Sequence, residues 1–192
     1  GASYANTRAS FLSSLQSLYG DPGSAGTLEA AFNSFTNALQ GLSTSPDSPA
    51  ARIGAVNAAA QLAQQLNVTS QGIQALRANA DAGIADSVRS ANNAMAQIAA
   101  INVQLLRSGG TDASTAALLD QRDQYIDQLS QLMDIKVVAN DSNQVTVFTT
   151  AGVQLVGTEA AQLTFHAQGM MTPQAQWSSD PAQSTLGSIT IE

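Results

Sequence analysis

The chain has no cysteine, one histidine, one lysine and very few aromatic residues. Without cysteine there is no disulfide, no thiol nucleophile and no thiolate metal site. With His166 as the sole imidazole, neither a catalytic triad nor a His-rich metal site can be assembled within one chain. Charged residues make up 11% of the 192 positions, well below the usual share, and the net charge is −7. A chain of that sign with no basic patch does not suit phosphate, which excludes nucleic acid as a partner. No apolar run approaches the length of a membrane span, so no membrane is expected. No cleavable signal sequence is read; Gly1-Ala2-Ser3 reads as the scar of a tag, and the chain as a fragment.

What is present is alanine, glutamine, serine and leucine. Hydrophobic residues reach 44%, but with aromatics at 5% any core must be thin and its helices closely packed. Gln, Asn, Ser and Thr stand where charges usually do, a surface suited to packing against copies of similar subunits.

One stretch organises the rest. Ser48-Pro49 opens a helix: the hydroxyl can take a free amide of the first turn, and proline suits the first helical position. Ser108-Gly109-Gly110 closes it. Between them Ile73, Leu76, Ala80, Ile84, Val88, Ala91, Met95, Ile98 and Leu105 advance by threes and fours, with Asn102 in the one gap. A helix over about 48–108 would measure roughly 90 Å at 1.5 Å per residue. Gly54, Gly72 and Gly83 each cost about 1 kcal/mol relative to alanine. An unbroken rod and a break near Gly72 are the two alternatives.

Around it, Tyr4, Arg8, Phe11, Leu15 and Leu18 form a first helical stripe, ended by Gly20 and the turn Asp21-Pro22-Gly23. Leu28, Phe32, Phe35, Leu39 and Leu42 form a second, capped by Thr27. A fourth helix, capped by Asp112 or Ser114, carries Leu118, Leu119, Arg122, Tyr125, Ile126, Leu129 and Leu132. At Asp134 the period falls to two. Ile135–Val138, Val145–Thr149, Val153–Val156, Leu163–Phe165 and Ile189–Ile191 read as strands, with Asn140-Asp141-Ser142-Asn143 a turn and 169–187 a loop. The expected fold is mainly α with a β portion. An elongated antiparallel helical bundle with one long helix (1–134, a shaft domain) precedes a small antiparallel β region (135–192).

Few residues invite chemistry. His166 reads as a plain strand histidine. Asp120, Asp123 and Asp127 recur on one helical face with Arg122 between them. A hard-cation or acid–base pair is one reading. A structural ion pair, with Arg122 reaching a carboxylate across the bundle near the α–β junction, is the preferred one. Asp141-Ser142-Asn143 lacks the rest of a calcium loop. No catalytic residue, cofactor or metal is expected.

The order of short motifs resembles the flagellar hook-associated FlgK family. These motifs are Leu15–Gly23, the aromatic helix Phe32–Leu42, Ser45-Pro46 with Ala50-Ala51-Arg52, Leu118-Leu119-Asp120-Gln121-Arg122-Asp123, Val145–Phe148 and Gly152–Val156. The resemblance implies a non-enzymatic structural protein of the bacterial flagellum, at the junction of hook and filament. It implies an extracellular location, reached through the flagellar type III apparatus without a cleaved signal. It implies self-assembly in a ring, contacts with the hook protein FlgE and the second junction protein FlgL, and a central fragment that is monomeric without its terminal segments. A helical sensor or signalling and binding module is the alternative. The β portion after Asp134 and the absence of any membrane-length apolar run speak against it.

Overall fold

The computed structural model describes residues 2–108, 113–140, 143–180 and 182–192. Four helices come first: α1 (Ala2–Tyr19), α2 (Leu28–Thr44), α3 (Pro49–Ser108) and α4 (Ala113–Leu132). Five short strands follow: β1 (Ile135–Ala139), β2 (Val145–Thr149), β3 (Gln154–Val156), β4 (Leu163–Thr164) and β5 (Thr190–Ile191). The expected helix end at Gly109-Gly110, the cap Asp112 and the turn residues Asp141-Ser142 lie outside the described residues. Ser114, the other expected cap, sits inside α4.

The chain forms two compact units. One is Asn6–Asn79 with Met170–Gln174; the other is Ala80–Gly169 and Ala175–Glu192 with the first five residues. Helix α3 runs through both without a break. The change from helix to strand falls between Leu132 and Ile135.

In the first unit the chain punctuation follows side-chain chemistry. Gly20 ends α1 at φ 74, a left-handed conformation open to glycine, with its N–H on the Gln16 carbonyl at 2.9 Å. Thr27 caps α2, its Oγ1 accepting from the Ala30 N–H at 3.1 Å. Ser48 does the same for α3, accepting from the Ala51 N–H at 3.3 Å. α3 continues through Gly72, and the space of its missing Cβ is where Leu18 packs: a Cβ there would lie 2.3 Å from Leu18 Cδ1. The core of this unit is thin. Ala55 and Ala58 are buried on α3, and α2 buries no residue fully. Phe32, Leu62 and Leu66 line an open groove of about 680 Å³ beside the α1–α2 loop.

The second unit holds the larger core. Val88, Ala91, Ala94, Met95, Ile98 and Ala99 of α3 meet Leu129 of α4 and Val145, Val147, Leu155, Val156 and Leu163 of the strands. Strands β1, β2 and β3 form an antiparallel sheet in chain order. Ile135 pairs with Thr149 and Ala139 with Val145. A bulge between Val147 and Phe148 shifts the pairing with β3. β4 and β5 pair separately. The expected β elements are all found: β2 keeps its expected bounds, β1 runs one residue further to Ala139, and β3, β4 and β5 are each one residue shorter, while the described residues of 169–187 are free of helix and strand.

The long apolar seam is buried only in part. From Val88 to Leu105 it is core, but Ala80 is exposed and Ile84 is 41% exposed. Periodicity marks a face; it does not supply a neighbour for that face.

Candidate functional site: the grip of the long helix on the strands

Three polar side chains of α3 hold the chain that follows it. Asn102 is 1% exposed, in the middle of the apolar seam. Its Nδ2 donates to the carbonyls of Val145 at 2.7 Å and Gly157 at 2.8 Å. Its Oδ1 accepts from the Val145 N–H at 3.1 Å. Gln144 returns a bond from its Nε2 to the Asn102 carbonyl at 3.3 Å. A carboxamide carries one acceptor and two donors, so one side chain here satisfies three backbone groups that would otherwise be buried unpaired.

Asn92 repeats the device one strand away. Its Nδ2 donates to the Leu163 carbonyl at 2.8 Å, and its Oδ1 accepts from the Leu163 N–H at 2.9 Å. Asp81, about three turns before Asn92 on nearly the same stripe, is also buried. Its Oδ2 accepts from the N–H groups of Gln168 at 2.7 Å and Gly169 at 3.2 Å. A carboxylate can only accept, and here it meets two donors.

The residues singled out from sequence sit on α4. Arg122 is 9% exposed and donates from Nη1 to the Asn143 carbonyl at 2.5 Å, tying the helix to the β1–β2 turn. Asn143 stands at φ 59, a conformation asparagine accepts more readily than most residues. The carboxylate that Arg122 meets is Asp123, its neighbour in sequence, at 3.3 Å from Nη2 and largely exposed. Among the described residues, the contact that Arg122 makes beyond its own helix is to a carbonyl. Arg122 Nε is buried with no hydrogen-bond partner among the described residues. Neither Asp120 nor Asp127 forms an ion pair among the described residues; the Asp127 carbonyl accepts from Ser130 Oγ at 2.8 Å. His166 is exposed and lies just beyond β4, not within a strand, because pairing with β5 stops at Thr164. Among the described residues no three His, Cys, Asp or Glu side chains cluster to hold a metal. Among the same residues no helix is long and apolar enough to cross a membrane.

The arrangement holds segments in place. The family described as "Flagellar hook-associated protein FlgK helical domain" matches residues 12–190.

The chain belongs to the FlgK family.

Flagellar hook-associated protein 1 of Salmonella typhimurium is 32% identical over 160 residues, 82% of this chain and 29% of the relative. The protein of the same name from Bacillus subtilis is 30% identical over 141 residues, 73% of this chain and 28% of the relative. The flagellar hook junction protein FlgK from Burkholderia pseudomallei is similar in structure, with a TM-score of 0.69 and 30% identity. That likeness covers 85% of this chain and 30% of the Burkholderia chain. The chain thus spans under a third of the length of the curated relatives it matches. The four-helix order with one long helix and a small antiparallel sheet is the architecture of this FlgK structure.

Sequence reasoning placed Asn102 in the seam without giving it a role, and it passed over Asn92 and Asp81. The available signal was a polar residue at an apolar position of a helix that precedes a run of strands.

Proposed function

We propose that this chain is a structural segment of the bacterial flagellum, part of the junction between hook and filament. The observation that carries the reading is the family match over residues 12–190. The fold supports it, with a helix of 60 residues as its main element and side chains spent on holding strands to that helix. In this reading 1–134 is the shaft and 135–192 the β portion. The polar, weakly charged faces contact further copies in a ring, with the hook protein FlgE on one side and the junction protein FlgL on the other. Arg122, with Asp120, Asp123 and Asp127 beside it, braces α4 at the base of the strands. The parent protein works outside the cell and travels through the flagellar type III apparatus. No catalytic role is assigned. The sensor or signalling alternative is not favoured by the family match.

The test is genetic. A strain deleted for the full-length gene is expected to build hooks and shed unattached filament protein into the medium. The full-length gene should restore filaments. Normal filaments in the deletion strain would sink the reading.

A further inference from the structure

The β1–β2–β3 sheet has two edges, and they are treated differently. At β3 the chain folds back on itself. Val156 bridges to Ala160, the Ala161 N–H donates to the Leu155 carbonyl at 2.8 Å, and the Gly157 N–H donates to the Glu159 carbonyl at 2.8 Å. That edge is occupied by its own connection. β1, by contrast, pairs only with β2 among the described residues. Val137 and Val138 are 40% and 38% exposed although Val147, opposite Val137, is fully buried. An exposed strand edge with valines on it is a template for another strand.

The only lysine of the chain stands on this edge. Lys136 is exposed, opposite Phe148, and forms no ion pair among the described residues. The strand most available to a free edge is the same strand of a second copy, since both present the same Ile-Lys-Val-Val-Ala backbone. Antiparallel pairing of two β1 strands about Val137 sets each Lys136 against the partner's side of the same face, with the two ammonium groups diagonal neighbours. Pairing about Lys136 sets them directly opposite. Both registers bring like charges together, which opposes pairing.

We propose that Lys136 guards the β1 edge against the β1 edge of a second copy. Such a pairing would be isologous and would close at two chains, a dead end for any assembly that grows by head-to-tail contacts. The proposal stands on the sheet geometry and does not depend on the flagellar reading.

Sedimentation of the 192-residue chain tests it. Lys136→Val is expected to self-associate about tenfold more tightly than the unmodified chain. Lys136→Glu keeps like charges at the same register and is expected to associate no more than the unmodified chain. An equimolar mixture of Lys136→Glu with the unmodified chain is expected to associate more than either alone. If the valine variant fails to fold by circular dichroism, Lys136→Thr, neutral and strand-forming, takes its place with the same expected gain. Equal association of the neutral variant and the unmodified chain would overturn the proposal. So would a Lys136→Glu variant that associates as strongly as the neutral one.

Discussion

Asn92 and Leu163 exchange two hydrogen bonds, side-chain amide to backbone, as two residues on paired strands exchange theirs. The side chain of a helix thereby acts as a one-residue strand. Asn92→Leu removes both partners of Leu163 while keeping the side-chain size. The expected cost is about 1–3 kcal/mol, the range for leaving a buried polar group unpaired. Urea unfolding measures it. Hydrogen exchange adds a local reading: the Leu163 amide should lose protection before the amides of β2.

Asn102 serves three backbone groups where Asn92 serves two, and it is more deeply buried. Asn102→Leu is therefore expected to cost more than Asn92→Leu, by about 1 kcal/mol for the additional orphaned carbonyl. The same unfolding experiment ranks them. A smaller loss at Asn102 would show that the Gly157 carbonyl finds another donor.

Two glycines within α3 make opposite predictions. Gly83 has nothing within 4 Å of an added Cβ, so Gly83→Ala should stabilise by about 1 kcal/mol through helix propensity. At Gly72 the added methyl meets Leu18 Cδ1. Gly72→Ala should gain less or lose stability, and the double variant with Leu18→Ala should recover part of the helix gain. Thermal unfolding of the two single variants and the double variant forms the cycle.

For Arg122 the carbonyl matters more than the carboxylate. Asp123 is largely exposed, so Asp123→Ala should shift stability by no more than about 0.5 kcal/mol. Arg122→Ala, which removes a buried charged donor from the Asn143 carbonyl, should cost about 2 kcal/mol. Matching losses at the two positions would restore the ion pair as the main contact. The denaturation midpoint in urea, at constant slope, is the measurement.

Much of this fold was legible because local chemistry and global fold agree. Thr27, Ser48 and Pro49 mark helix starts by what their side chains can and cannot donate. The alternation of Val145 and Val147 with Thr146 and Phe148 states which face of β2 is buried. The failures share a cause. Ile84 keeps step with Val88 but is 41% exposed where Val88 is buried, and period alone cannot report that. Asn92 and Asp81 look like ordinary solvated positions, because their partners are backbone groups far along the chain, and backbone leaves no trace in composition. Arg122 was found by its charge; the guanidinium fork that suits a carboxylate also donates to a carbonyl, and the Asn143 carbonyl left no mark in the sequence.

The grip of α3 on β2 and β4 is made by neutral amides. Asn102 and Asn92 carry no charge, and neither do the backbone groups they hold. Dissolved ions weaken contacts between exposed charges but have little purchase on buried dipoles. The joint should therefore hold alike in fresh water and in brine, so that the strands stay seated whatever the salinity of the medium.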